Sequence, residues 1–337
     1  MKKQLILLIE LVISLAIIAA VLYFVEFDKV VGIIAGANPW FILAAFLAYF
    51  SINLGMATRI TIILAEMGHR ISLKSAVLAN FSGMLVSDFT PARSGYFATA
   101  FILSANNKIP FSRALVSILG PQMFDFMLKV GAGVVAIIYI FYMLDLGAGS
   151  LAGMAIGVVG LTCMLAFGLL LLFSKRFLTM LKLIERLPFG KRIYGELARM
   201  QHNAIAIKRV ILAIAALMAI TWTLKGAEWY LLALSINMQP GINFHPLLFY
   251  MFLQPLITML QFIPTPTLAG MGLSEAGSIA VLALFGVPAP VAAAYALMTR
   301  SIMIVMDLVG IQEARKVVRR NLDKIFEGKL DAGIDAD

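Results

Sequence analysis

Charge is what this chain of 337 residues has least of. Asp, Glu, Lys and Arg make up 13%, while 61% of the residues are hydrophobic, where soluble domains run nearer a quarter charged and half apolar. With a mean hydropathy of +0.95, that balance excludes a soluble globular domain. The apolar runs have helical length and lack the alternating segments of about ten residues that build outer-membrane barrels. The fold class is therefore an all-α integral membrane protein.

Other scarcities narrow the function. One cysteine, Cys163, leaves no intramolecular disulfide. The three histidines, His69, His202 and His245, stand far apart without ligand spacing, which excludes a zinc or haem site built on them. The sequence contains no G-x-x-x-x-G-K-[ST] phosphate cradle, no nucleophile triad and no metal-ligand cluster, so it predicts no enzyme, no metal and no cofactor, and it excludes an ATP-driven pump within this chain. The formal net charge of +9 is accounted for by membrane orientation and attraction to anionic lipid, and nucleic acid is not needed as a partner.

What is present is a repeated interruption. The pattern T-P-x-x-x-G occurs at Thr90-Pro91 to Gly95 and again at Thr265-Pro266 to Gly270. Each copy is followed by an apolar residue, Pro, and then Ala four positions on: Ile109-Pro110 with Ala114, and Val287-Pro288 with Ala292. Paired broken helices at corresponding positions of two halves point to the binding site of a transporter. Pro91, Pro264 and Pro266 stop helices, and Gly95, Gly270 and Gly272 are expected to let the backbone reverse at two hairpin tips.

Six runs reach spanning length: 5–27, 39–65, 114–143, 148–173, 210–236 and 288–311. The arms around the first tip, 75–88 and 96–104, would extend only about 21 and about 14 Å as helix, against a hydrocarbon core of about 30 Å. Those around the second, 247–263 and 273–285, would extend about 26 and about 20 Å. If both segments return to their own side, the cations of Lys2, Lys3, Arg70, Lys74, Lys108, Arg113, the 174–209 loop and the tail share one face. That is the positive-inside pattern of a cell-membrane protein with both termini cytoplasmic. The expected architecture is an inverted-topology repeat, with halves of about 1–145 and 146–311, two re-entrant hairpins meeting near the midplane and a short basic tail at 312–337. Within 175–205, Phe177, Leu178, Leu181, Ile184 and Leu187 alternate with cations, as in an amphipathic interfacial helix.

Ionisable residues inside spans cost roughly 2.5 to 3.5 kcal/mol each and face a cavity or a partner. Asp88 and Arg93 flank the first tip, and Glu275 follows the second. Asp125 and Lys129 are spaced for one helix face, as are Lys225 and Glu228, so for these two pairs both a structural and a substrate-binding role are open. Arg93, Glu275 and Arg300 have no such neighbour at helical spacing and are expected to face a functional cavity. Helix N-termini near Arg93 and Gly272 would add positive ends for an anionic headgroup.

At these residues the chain resembles the flippase-like membrane domain of the lysylphosphatidylglycerol synthases, together with the stand-alone membrane proteins that share it. The resemblance covers roughly Leu5 to Ile311. It rests on PARSG at Pro91 to Gly95, IPFSRAL at Ile109 to Leu115 with Asp125 following, PTLAGMGLSEA at Pro266 to Ala276, ALFGVP at Ala283 to Pro288, and Arg300. Tyr96 stands where the family often has an acid, and Ala269-Gly270 where it often has Gly-Gly. Only a short tail follows Ile311, so the resemblance implies lipid translocation and not lipid aminoacylation. It implies anionic membrane lipids as partners, with a homo-oligomer or a separate lipid-modifying enzyme as further possibilities. A secondary transporter of a small soluble anion and a non-transporting scaffold that presents lipid to another enzyme are the rival readings.

Overall fold

The computed structural model describes residues 2–90, 95–144, 159, 162–163, 166–167, 170, 174–186, 194–195, 198, 201, 205–260, 267 and 270–316. Every regular element among them is helical. The helices are α1 (Lys2–Phe24), α2 (Phe27–Ala35), α3 (Pro39–Glu66), α4 (Leu73–Asp88), α5 (Tyr96–Asn107), α6 (Phe111–Leu144), α7 (Lys175–Met180), α8 (Ile205–Arg209), α9 (Ile211–Ser235), α10 (Pro246–Leu260), α11 (Leu273–Leu284) and α12 (Ala289–Asp307). Helix α12 continues through a tight turn at Leu308–Gly310 into a last stretch ending at Lys316.

Four described helices are long and apolar enough to cross a membrane: α3, most of α6, α9, and α12 with its continuation. The first expected span is shorter than its apolar run. Glu26 takes a left-handed conformation (φ 62°) and ion-pairs with Lys29 at 2.7 Å, so the chain breaks and restarts as α2. Helix α2 then packs Val30 and Ile33 against Ala293 and Ala294 of α12. Most of the expected 148–173 span and the tail from 317 on lie outside the described residues. In the 175–205 loop the described elements include two short pieces, α7 and a 3-10 turn at Leu181–Arg186, with scattered helical residues after them.

The long, short, short, long order of α3 to α6 recurs in α9 to α12, and its punctuation recurs with it. Helices α3 and α9 both end on a left-handed residue, Gly68 (φ 85°) and Asn237 (φ 52°). The next N–H reaches back in each case, His69 to Leu64 at 2.8 Å and Met238 to Ala233 at 2.9 Å. Helices α5 and α11 end on Lys108 (φ 53°) and Gly286 (φ 73°), followed by Ile109 N–H to Ser104 and Val287 N–H to Leu282. These are the Schellman-type closures that satisfy carbonyls left open at a helix end. Pro110 and Pro288 then accept the first bonds of the next helices, from Ala114 and Ala292, which are both fully buried.

Packing follows the same plan. Helices α3–α4, α4–α5, α5–α6 and α3–α6 pack in the first half, and α9–α10, α10–α11, α11–α12 and α9–α12 in the second. The halves join through α3 on α9, and through α6 on α10 matched by α12 on α4. Lipid tails are as apolar as side chains, so these contacts depend on close fit more than on burial. At Gly55 of α3 an added Cβ would lie 2.6 Å from the Thr221 methyl of α9, and at Gly310 it would lie 2.2 Å from the Ser82 amide nitrogen of α4.

One glycine has a different role from the one expected. Gly95 has ordinary right-handed geometry (φ −61°, ψ −12°), so it is not needed for chain reversal. Its hydrogen lies against α4, where a Cβ would stand 2.2 Å from Ser87 N and 2.4 Å from Gly83 O. Gly270 (φ 69°) and Gly272 (φ 87°) do occupy the left-handed region that favours glycine. Backbone atoms cannot yield as a flexible side chain can, so Gly95→Ala should cost about 1 to 3 kcal/mol. Gly32→Ala, with open space at its Cβ, should be neutral or slightly stabilising. Thermal unfolding of the two purified variants checks this contrast.

Candidate functional site

Helices α3, α6, α9, α10, α11 and α12 enclose a cavity of about 1050 Å³, its open mouth included. Its wall carries Arg59 of α3, Asp125 and Lys129 of α6, Lys225 of α9, Glu275 of α11 and Arg300 of α12. Five of the sequence-predicted residues therefore meet around one space, although they come from both halves of the chain. Glu228 lies directly behind Lys225. Asp88 is buried at the end of α4, and the cavity wall does not include it. Arg93, Pro91 and Pro266 lie outside the described residues.

Arg300 and Glu275 have no partner at helical spacing, and they find one across helices. They pair with each other, Arg300 Nε donating to Glu275 Oε1 at 2.8 Å, with both side chains nearly buried. Arg300 Nη2 donates to Ser274 Oγ at 2.7 Å. The second carboxylate oxygen, Glu275 Oε2, accepts from the Gly272 N–H at 2.6 Å and from Ser274 Oγ at 3.0 Å. The positive end of α11 is thus filled by the helix's own third residue, where an open anion site was expected. Arg300 Nη1 is buried without a hydrogen-bond partner, so the guanidinium keeps donor capacity on a side chain that lines the cavity.

The other charges are matched across helices as well as along them. Asp125 receives Arg59 Nη1 at 3.0 Å from α3. Lys225 Nζ meets Glu228 Oε2 at 2.7 Å, as the three-residue spacing implied, and stands 4.8 Å over the Tyr49 ring. Among the described residues, Arg59, Lys129, Lys225 and Arg300 share the wall with Asp125 and Glu275, and Glu228 stands behind Lys225.

Residues 7–310 match the lysylphosphatidylglycerol synthase transmembrane-region family. The chain belongs to that family. A UPF0104 membrane protein of Methanocaldococcus jannaschii is 22% identical to it over 332 residues, covering 94% of this chain and 96% of its own. The present member of the synthase transmembrane family is thus similar along nearly its whole length to a membrane protein of comparable size. Within this member, sequence reasoning overlooked Arg59, although it lies seven residues before the end of α3 and is itself a charge inside a span. It also overlooked Tyr49, Asn53 and Gln254 on the cavity wall, whose types give no signal apart from the fold.

Because Arg300 and Glu275 are buried together, removing either alone strands the other. Arg300→Ala should destabilise the protein by about 3 to 5 kcal/mol. Arg300→Met combined with Glu275→Gln should cost less than Arg300→Ala alone. A double-mutant cycle on thermal midpoints in one detergent would show the coupling, and additive losses would contradict the pairing.

Proposed function

We propose that this protein translocates an anionic amphiphile between membrane leaflets, binding its phosphate headgroup in the central cavity without chemical conversion. The observation that carries the reading is the gathering of four cationic side chains, Arg59, Lys129, Lys225 and Arg300, around that one cavity, with a spare donor on the Arg300 guanidinium. Charges inside a membrane span are costly, and where they line a cavity they mark a path for a charged ligand. Guanidinium donors suit phosphate oxygens.

Two features favour a lipid over a small soluble anion. Helix α12 packs on α3, but the corresponding pair, α6 and α9, makes at most marginal contact. Leu128 of α6, exposed on the outside, and Trp222 of α9 both line the cavity beside that gap. Helices α6, α10 and α11 also line a second, almost wholly apolar groove of about 700 Å³ formed by Val135, Tyr139, Phe252, Leu256 and Phe285 among others. Along α6, Val135 is about 9 Å beyond Lys129. A headgroup in the cavity could leave a hydrocarbon chain in this groove or in the surrounding bilayer.

In this reading the two halves form an inverted repeat, α4–α5 and α10–α11 are re-entrant hairpins, and both termini face the cytoplasm of a cell-membrane protein. No nucleotide site drives the cycle, so movement is down-gradient or ion-coupled. A separate lipid-modifying enzyme would supply or consume the lipid.

Leaflet-resolved assays on reconstituted vesicles with a panel of headgroups test the proposal. Anionic phospholipids should exchange faster than in protein-free vesicles, and zwitterionic ones should not. In a Cys163→Ser background, a maleimide attached at Leu128→Cys should slow that exchange by at least roughly tenfold, equivalent to about 1.4 kcal/mol. Unchanged lipid exchange after full labelling would refute the lateral path. Uptake of a soluble anion by the same vesicles, without lipid exchange, would favour the soluble-anion transporter.

A further inference from the structure

Glu228 is the most deeply buried carboxylate beside the cavity, with no exposed surface. One of its oxygens receives Lys225 Nζ at 2.7 Å, and the other, Oε1, has no hydrogen-bond partner. Among the described residues, Lys225 is its one bonded donor. The nearby hydroxyls are turned elsewhere. Tyr295 donates to the Trp229 carbonyl at 3.0 Å, and the Tyr49 hydroxyl lies 3.1 Å from the Asp307 carboxylate. The ionisable groups on the helices packed against α9 are Tyr49, Arg59 and Glu66 of α3, Lys208 and Arg209 of α8, Tyr250 of α10, and Tyr295, Arg300 and Asp307 of α12. Arg59 and Arg300 are held by Asp125 and Glu275, so Lys225 alone neutralises Glu228.

Lys225 is also a wall residue of the cavity, and its ammonium is more exposed than the carboxylate behind it. One flexible cation therefore stands between a buried acid and the place where an anion would bind. An ammonium is a point charge on a mobile stem and can change partners without the planar matching that holds Arg300. If it turns to an incoming phosphate, Glu228 is left charged, buried and without a donor. A carboxylate in that position takes a proton.

We propose that Lys225 and Glu228 form a proton-coupling site: an anionic headgroup entering the cavity takes over Lys225, and Glu228 accepts one proton from water in exchange. The ammonium keeps its own protons throughout, the carboxylate becomes a carboxylic acid, and one anion and one proton enter together. The charge inside the membrane is unchanged by the step. This inference rests on the lipid-binding reading above, to which it adds the coupling ion.

The test uses the full-length protein in detergent with dihexanoyl phosphatidylglycerol, whose phosphodiester stays singly charged near neutral pH. In weakly buffered solution with a pH indicator, binding should take up about one proton per lipid, and by linkage affinity should rise as pH falls. Glu228→Gln keeps the shape and a hydrogen-bonding side chain. It should bind the lipid with no proton uptake and with an affinity independent of pH. The Lys225→Met, Glu228→Leu double variant removes both charges together, guards against misfolding of the single variant, and should also take up none. In vesicles, a pH gradient should drive phosphatidylglycerol exchange by the wild type only. Lipid binding by the wild type without proton uptake, or equal uptake by Glu228→Gln, would overturn the coupling site and leave the lipid site standing. Failure of the wild type to bind any anionic lipid would overturn both.

Discussion

A charge inside a membrane protein must be answered by another charge or by a ligand, and Arg300 with Glu275 is where this structure meets that constraint most fully. Two backbone-fixed elements are tied by one guanidinium: the start of α11, through Glu275 and Ser274, and the middle of α12. The same carboxylate accepts from the amide of Gly272, the residue at positive φ (87°) from which α11 starts. Ion pair, glycine and helix start form one unit, and that unit makes one wall of the cavity.

The remaining walls obey the same rule through different partners. Arg59 and Asp125 join α3 to α6, while Lys225 and Glu228 share α9. Buried amides do comparable work, with Asn80 of α4 donating to Asn53 of α3 at 2.7 Å, and Asn53 donating to the Tyr49 carbonyl at 3.0 Å. Polar links of this kind add direction to contacts that dispersion alone would leave free to slide. Glycines at Gly55, Gly95 and Gly310 bring the backbones close enough for those links to form.

Much of this was legible in the sequence, for identifiable reasons. Apolar runs are long signals, so α3, α6, α9 and α12 fall within a few residues of their expected ends. The repeated prolines marked Pro110 and Pro288, because proline at a helix start leaves the same trace wherever it occurs. Partners across helices were not legible. Lys225 and Glu228 could be matched by spacing, but nothing in the order of residues says that Asp125 will meet Arg59 of a distant helix. Gly95 was expected to reverse the chain and instead lies against α4, since a sequence does not distinguish a glycine chosen for its backbone angles from one chosen for its missing Cβ. The break at Glu26 was hidden by the apolar residues on both sides of it.

The contact of α12 with α3, set against the near absence of one between α6 and α9, bears on energy as well as on access. Helices that touch along their length gain dispersion contacts that separated helices do not. The α3–α12 side is therefore the better-packed wall of the cavity, and the α6–α9 side is the one whose widening breaks the fewest contacts.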